Sequence, residues 1–247
     1  MKIMPAAIAL ALLAGLVPAR AQDCSVKPEI VENFSQLARV RSAVTKDGKL
    51  AVLVLSAAPT QIGQASGLKS YPSFLETSLK EKLKNINVSV FAFAVPREPV
   101  GKILAALPAV LREQKPDLVI WQTGTVEAIR AMDPDVYGDK LLEGVSLIRA
   151  DKIDVILMNQ QYSPKTDFMF DGSPYTDNMR WVSQSKDISL FNRYDIMKYW
   201  ADHGVFDLNA MKSDGTYEKL HKCLGVLLAD FILRGAQLPG SLENHRE

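Results

Sequence analysis

Residues 115–125 read KPDLVIWQTGT, and this stretch decides the fold class. Asp117 to Gln122 is a short, largely apolar run that Lys115-Pro116 introduces. A continuous apolar run of this length is typical of a strand that is covered on both faces. Gly124-Thr125 follows at once and is a helix-start signal. The stretch therefore predicts a buried strand that ends in a loop leading to a helix.

The same pattern repeats on both sides of this strand. Apolar runs predict further strands at 50–55, 88–94, 154–158 and 188–191. Helical spacing of apolar residues is found between or beside them, at 28–45, 71–83, 100–113, 134–150, 173–185, 194–202 and 218–233. Strands that alternate with helices predict a parallel sheet with helices on both faces. The expected fold is an α/β protein, a three-layer α/β/α sandwich.

Composition and charge exclude several classes of protein. Lys plus Arg number 29 and Asp plus Glu number 28, so the chain lacks the basic excess of a typical nucleic-acid-binding protein. Two cysteines are too few for a disulfide-rich scaffold or a multi-cysteine metal site. The three histidines are scattered and have no metal-ligand spacing. We therefore expect no metal, no cofactor and no nucleic-acid partner.

The chain begins MKIMPAAIALALLAGLVPARAQ, which predicts a cleaved secretory signal peptide over residues 1–21. A lysine supplies the positive start, an uncharged Ala/Leu-rich stretch follows, and Ala19-Arg20-Ala21 has the small-x-small form that signal peptidase accepts. We expect a secreted or periplasmic protein with no membrane span after cleavage. The rest of the chain divides into an N-terminal helical segment (22–49), the main domain (50–234) and a polar tail (235–247).

The predicted export affects whether the two cysteines are expected to form a disulfide. Cys24 lies near the predicted mature N-terminus, and Cys223 lies in the last predicted helix. In an oxidising compartment the two can pair and join the ends of the chain. The alternative is two unrelated thiols. We expect the disulfide.

Three stretches carry a resemblance to the SGNH/GDSL hydrolase family, with the closest likeness to a secreted bacterial subgroup. PDLVIWQTGT (116–125) resembles the strand leading into the third family block, which normally reads G-x-N-D. DVILMNQQYSP (154–164) resembles the subgroup's fourth strand and its following Gln-Tyr-x-Pro, and SDGTYEKLHKCL (213–224) resembles the last block, usually Asp-x-x-His. The resemblance implies a flavodoxin-like, mostly parallel sheet. It also implies an ancestry in ester hydrolysis by a serine nucleophile, a histidine base and an oxyanion hole.

The signature positions of that family are largely altered in this chain. The nucleophile position falls on Ala58, Val126 stands where the oxyanion Asn belongs, and Tyr217 stands where the base His belongs. Gly124 and Asp214 match the family pattern, but the second block lacks its glycine. Alanine has no atom that can attack an ester, valine donates no hydrogen bond, and a tyrosine is mostly protonated at neutral pH. The normal serine mechanism is therefore expected to be absent.

Two other residues are candidates for a rebuilt catalytic pair. Ser56 lies two residues before the nucleophile position, and His221 lies seven residues after Asp214 on the predicted closing helix. The alternative for His221 is a structural role on that helix. A carboxylate pair of Glu127 and Asp214, as in glycosidases, is a further possibility. A glutamate in a first helical turn is, however, also favoured by the helix dipole alone.

Polar side chains in the loops after the strands predict a neutral hydrogen-bonding cleft. In sheets of this kind, ligands bind beyond the carboxyl ends of the strands. The candidate ligand-binding residues there are Thr60, Gln122, Thr125, Asn159, Gln161 and Tyr162. Amide and hydroxyl groups suit a glycan or an acylated ligand. The alternative is that these groups satisfy the backbone of the loops.

We therefore expect a protein that has lost serine-ester hydrolysis and acts as a binding or accessory protein of the cell envelope. An envelope glycan or an envelope protein is the expected partner. The alternative is an ester hydrolase, an acyl or acetyl esterase, with a relocated nucleophile such as Ser56. A third possibility is a structural protein whose old cleft is filled by its own side chains.

Overall fold

The computed structural model describes residues 24–32, 35–57, 68–209 and 215–240, and it contains the expected parallel sheet. The strands are β1 (Lys49–Ser56), β2 (Asn87–Ala94), β3 (Leu118–Gln122), β4 (Asp154–Met158) and β5 (Ser189–Phe191). They lie in the order β2-β1-β3-β4-β5, and each neighbouring pair is parallel. Because β2 and β3 flank β1 on opposite sides, the chain changes direction across the sheet at β1. The carboxyl ends of β1 and β3 therefore form the switch point where ligands bind in such folds.

Helices follow the strands in the predicted alternation. They are α1 (Ala38–Ser42), α2 (Tyr71–Lys82), α3 (Val100–Gln114), α4 (Thr125–Ile129), α5 (Pro134–Ala150), α6 (Pro164–Met169), α7 (Ser173–Lys186), α8 (Arg193–Asp202) and α9 (Thr216–Gly235). The sequence signals the start of α4 at Gly124-Thr125 but not its extent, and it does not predict α6, because five or six residues complete too few turns to display a period of 3.6.

Alternate side chains of β1 enter two separate hydrophobic cores. Val52 and Val54 belong to the core beneath α2, α8 and α9. Leu53 and Leu55 belong to the core beneath α3, α5 and α7. Successive side chains of a strand point to opposite faces, so a wholly apolar strand needs a layer of helices on each side. The predicted α/β/α sandwich is confirmed.

Gly225 allows α9 to pack closely against α2. A Cβ built on Gly225 of α9 would lie 2.7 Å from the backbone nitrogen of Leu75 and 2.8 Å from the carbonyl carbon of Phe74, both on α2. Only glycine fits at so short a separation from backbone atoms. This contact fixes the start of α2, at Tyr71, against His221, which lies one turn before Gly225 on α9.

The N-terminal segment differs from the continuous helix predicted over 28–45. It holds a 3-10 turn at Pro28–Ile30, then α1 and a π-helical turn at Ala43–Asp47. The amide of Leu37 donates to the carbonyl of Gly235, 2.9 Å away, so it is not part of a helical ladder. Tertiary packing thus supplies the partners that a continuous helix would have supplied.

A disulfide joins Cys24 to Cys223 and confirms the predicted pairing. The two Cα atoms are 5.2 Å apart although 199 positions separate the residues in sequence. The bond attaches the N-terminal segment to α9. Packed structure also continues beyond position 234, because Ala236 and Leu238 are buried.

Candidate functional site

The carboxyl ends of the central strands meet at one edge of the sheet. Ser56 and Gln122 are neighbours in the β1–β3 register, and Gln122 and Met158 are neighbours in the β3–β4 register. A cleft of about 480 Å³ opens at this edge. We call it the strand-end cleft; it is lined by Ala57, Arg97, Gln122, Thr123, Thr125, Val126, Ile129, Arg130 and Gln161. Its volume is typical of small-molecule sites, which are roughly 300–1,000 Å³.

Three predicted ligand-binding residues line the strand-end cleft, namely Gln122, Thr125 and Gln161. Gln122 is the last residue of β3, and Thr125 and Gln161 lie in the helix start and the loop that follow β3 and β4. Thr60 lies outside the described residues. The cleft mixes these amide and hydroxyl groups with an apolar wall, and it is open to solvent beside Ile129, whose side chain is 61% exposed.

Asn159 has a structural role that the sequence prediction did not assign to it. Its side chain is fully buried; its Nδ2 donates to Asn192 Oδ1 at 2.6 Å, and its Oδ1 accepts from the amide of Tyr194 at 2.9 Å. Both partners lie at the start of α8. Since the carboxamide is used on both atoms inside the protein, Asn159 fastens the loop after β4 to α8 and is not a ligand residue.

Tyr162 also packs within the protein. Its ring meets the ring of Tyr194 edge-on, with centroids 5.3 Å apart, and the Nζ of Lys198 lies 5.6 Å from its centroid. Tyr162 is not one of the described residues that line the strand-end cleft. Its neighbour Gln161 is one of them.

His221 is buried between α2 and α9, with 6% of its surface exposed. Its Nδ1 accepts a hydrogen bond from the backbone amide of Tyr71 at 3.1 Å. The acceptor must be unprotonated, so this bond requires the neutral ring. Burial, with a further contribution from the charge of Arg193, lowers the pKa of His221 to about 3. The geometry assigns His221 a structural role in positioning the start of α2.

The other predicted catalytic positions are placed as follows. Ser56 ends β1 and has no exposed surface. Tyr217 is half-buried in the first turn of α9, with its ring centroid 4.2 Å from that of His221. Burial raises the pKa of Tyr217, so even less of it is present as tyrosinate at neutral pH than for a free tyrosine. Ala58 and Asp214 lie outside the described residues.

Glu127 holds two helix starts together and is fully buried. Its Oε2 accepts from the amide of Gly124 at 3.1 Å, and its Oε1 accepts from the amide of Val100 at 2.6 Å. The first bond is the reciprocal half of a capping box at α4, and the second reaches the first residue of α3. Burial raises the pKa of Glu127. The alternative of a structural glutamate in a first helical turn therefore describes Glu127 better than a glycosidase-like carboxylate pair, and the structure adds the capping bonds.

Gly124 turns the chain from β3 into α4 with a φ of +96°, a value that favours glycine. A Cβ at this position would also lie 3.1 Å from Gln160 Oε1. The turn places Val126, at the position of the family's oxyanion Asn, on the wall of the strand-end cleft. Gly124 thus keeps its place in the block while Val126 makes the wall apolar.

Sequence reasoning missed the residues behind the cleft, Tyr71 and Arg193. The hydroxyl of Tyr71 donates to Gln122 Oε1 at 3.0 Å, and the Nη2 of Arg193 donates to Gln161 Oε1 at 3.1 Å. The guanidinium carbon of Arg193 lies 5.7 Å from the centroid of the Tyr71 ring. Burial raises the pKa of Tyr71, so its hydroxyl remains a donor. No local signal marks these residues, because their partners come from distant loops.

Two further features of the described ranges concern metals and membranes. Within them, no three His, Cys, Asp or Glu side chains are grouped as ligands for a metal ion. The helices of the same ranges do not combine the length and hydropathy required to cross a bilayer.

Comparisons with known proteins agree with this architecture. An arylesterase of Vibrio mimicus is 26% identical over 151 residues, which are 61% of this chain and 71% of that protein. The structure of a catalytic mutant of Axe2, an acetylxylan esterase from Geobacillus stearothermophilus, superposes with a TM-score of 0.61 at 15% identity, covering 79% of this chain and 97% of that one. AlinE4, an SGNH-hydrolase family esterase, gives a TM-score of 0.51 at 20% identity over 67% of this chain and 84% of that one.

The likeness to the two solved structures shows a shared fold. At identities of 15% and 20% it does not assign an activity. The family itself is shown by a match along most of the chain, because the model of the non-GDSL lipase-like family covers residues 23–238. The predicted resemblance is thereby confirmed: this chain belongs to the non-GDSL lipase-like family and has the SGNH-hydrolase fold.

Proposed function

We propose that this chain is a non-hydrolytic member of its family, an exported protein that binds a small amphipathic ligand in the strand-end cleft. The observation that carries the proposal is the chemistry of the cleft walls. The described residues that line it are amides, hydroxyls, aliphatic groups and two arginines. None of these side chains accepts a proton at neutral pH, so this lining offers no general base.

His221, the candidate catalytic base, also supports the proposal. His221 is buried, and its Nδ1 already accepts the Tyr71 amide. To act as a base it would have to break that bond and carry a charge in a buried place that also contains Arg193. The depressed pKa of about 3 expresses the free energy that opposes this charge.

The residues at the nucleophile and oxyanion positions also support the proposed loss of hydrolysis. Ser56 is enclosed at the end of β1, so its hydroxyl is not presented to a substrate. Val126 offers a methyl surface where the family resemblance expects an amide donor. Loss of one oxyanion donor lowers the rate by about 10²–10³, and loss of a triad member by about 10⁴–10⁶. These losses do not multiply, but together they support the absence of serine-ester hydrolysis.

The same walls suit binding. Ala57, Val126 and Ile129 provide an apolar surface, whereas Gln122, Gln161 and the two threonines provide hydrogen bonds. A short acyl group with a polar end matches that division of surface. An envelope glycan or an envelope protein that carries such a group is the proposed source.

Export is consistent with the Cys24–Cys223 disulfide, since disulfides persist in oxidising compartments. Mass spectrometry of protein from the envelope fraction tests export, and the expected first residue is Gln22.

The test of lost hydrolysis combines a fluorophosphonate probe with turnover of p-nitrophenyl acetate by the purified mature protein. We expect no labelled serine and a rate equal to that of an unrelated protein. A probe adduct that maps to one serine would overturn the proposal and establish the esterase alternative. If the adduct is on Ser56, the variant Ser56→Ala should abolish it.

The test of binding uses calorimetry with hexanoate and hexanamide on the mature protein. We expect at least one of them to bind, and the variant Val126→Phe to weaken that binding at least about tenfold by filling part of the cleft. The matched control is Val136→Phe, which places the same ring on an exposed site in α5, outside the cleft lining. Absence of binding, or equal effects of the two variants, would contradict a ligand site here.

A further inference from the structure

Arg193 is a buried cation for which the described residues provide no carboxylate. Its side chain is 3% exposed, and within the described residues no Asp or Glu oxygen lies within 4.0 Å of its nitrogens. Its Nη2 donates to the neutral Gln161, and its Nε has no hydrogen-bond partner in the described residues. A buried charge without a counter-charge is costly, and its field is not cancelled locally.

The field of Arg193 reaches the groups around it. It acts to lower the pKa of Tyr71, Tyr217 and His221, although burial outweighs this effect at the two tyrosines. The only direct hydrogen bond from its guanidinium in the described chain leads to Gln161, which lines the strand-end cleft. The positive charge therefore lies directly behind one wall of the cleft.

Two more arginines stand on another wall of the same cleft. Arg97 and Arg130 both line it and are exposed. The Nη2 of Arg130 donates to the carbonyl of Arg97 at 2.7 Å, which holds its side chain against the turn after β2. The nearby carboxylate of Glu127 is fully buried and accepts from two amides, so it is not presented to the cleft. The strand-end cleft is consequently cationic on two sides and apolar between them.

We propose that the strand-end cleft selects an anionic amphipathic ligand, an oxyanion carried on a short apolar chain. The oxyanion is held near Arg97 and Arg130 and within the field of Arg193, and the apolar chain lies along Val126 and Ile129. This inference rests on the proposed function, because it names the class of ligand for the same cleft. Charge-assisted hydrogen bonds are roughly twice as strong as neutral ones, so the charged head should dominate selection.

The experiment compares ligands of equal length and different charge by calorimetry on the mature protein at neutral pH. The probes are hexanoate, hexyl phosphate, hexanamide and hexylammonium. We expect one or both anions to bind at least about tenfold more tightly than hexanamide, and hexylammonium to bind most weakly. We also expect added salt to weaken the anions alone. The order of hexanoate and hexyl phosphate then separates a carboxylate source from a phosphate source.

Variants connect the selection to the arginines. Arg130→Gln should weaken the anions about tenfold, a larger loss than it causes for hexanamide. Arg193→Gln should act in the same direction if the variant folds, and Arg97→Gln provides a second test that does not depend on a buried site. The matched control is Arg112→Gln, an exposed arginine in the last turn of α3, which should change nothing.

The outcomes separate this inference from the proposed function. Equal binding of hexanoate, hexyl phosphate and hexanamide would overturn charge selection and leave the binding function standing. An unchanged preference in Arg97→Gln and Arg130→Gln would also overturn it. Absence of binding by all four probes would overturn the proposed function and this inference with it.

Discussion

The structural role of His221 predicts how the stability of the protein depends on pH. In the folded protein its pKa is lowered to about 3, whereas a histidine in the unfolded chain titrates near 6.5. As the pH falls below about 6.5, the unfolded chain gains a proton that the folded protein does not accept. Stability therefore falls with pH between about 6.5 and about 3 because of this one side chain.

The magnitude follows from the two pKa values. One proton bound only by the unfolded chain lowers the free energy of unfolding by about 1.4 kcal/mol per pH unit. Between about pH 7 and about pH 5 the loss from His221 is about 2 kcal/mol. The variant His221→Gln keeps an oxygen that can accept the Tyr71 amide but does not titrate. It should therefore lose about 2 kcal/mol less than the parent over that interval.

Urea unfolding at several pH values measures this difference. The carboxylates titrate in both proteins and cancel in the comparison. The matched control is His203→Gln, which removes an exposed imidazole at the end of α8. If the parent and His221→Gln showed the same pH dependence, His221 would take up a proton in the folded protein as readily as in the unfolded chain. Its ring would then be accessible, and the case against a catalytic base would fail.

Two further predictions concern the framework that holds the site. Gly225→Ala should destabilise the protein by about 1–3 kcal/mol despite its gain in helix propensity, because the new Cβ meets the backbone of Leu75 at 2.7 Å. At Gly101 a Cβ meets nothing within 4 Å, so Gly101→Ala should stabilise the protein by up to about 1 kcal/mol. Urea unfolding measures both variants, and a change in the free energy of unfolding with the same sign in both would refute the packing argument. Replacing Cys24 and Cys223 by serine should lower the free energy of unfolding by about 2–5 kcal/mol, since the bond closes a loop across 199 positions. A reductant should reproduce that loss in the parent, and a parent indifferent to the reductant would contradict it.

The sheet could be predicted from the sequence because the patterns that indicate strands and helices are local. Continuous apolar runs such as 50–55 and 117–122 indicate strands covered on both faces, and the helices between them require parallel crossovers. The structure places all five strands within one residue of the predicted bounds. The cysteine pairing could also be predicted, because two cysteines leave one intramolecular disulfide possible and the expected export favours its formation.

The cleft lining could be predicted in part for a related reason, although the ligand roles stay predictions. Gln122 ends a strand and Thr125 and Gln161 lie within three residues after one, so strand position alone brings them to the cleft. Asn159 follows a strand in the same way, yet it is turned inward by Asn192 and Tyr194, which are more than thirty positions away. The direction of a side chain in a loop depends on partners that sequence spacing does not reveal.

By itself, therefore, the sequence determined the order of elements and the three-layer sandwich, and it predicts that the family's catalytic residues are absent at several signature positions. Only the tertiary structure decided that His221 is buried against Tyr71. It alone placed Arg193 behind the cleft and Arg97 and Arg130 on another wall. The physical reason is that periodicity and propensity act over a few residues. Burial, hydrogen bonding and the field of a charge depend on which distant segments the folded chain brings together.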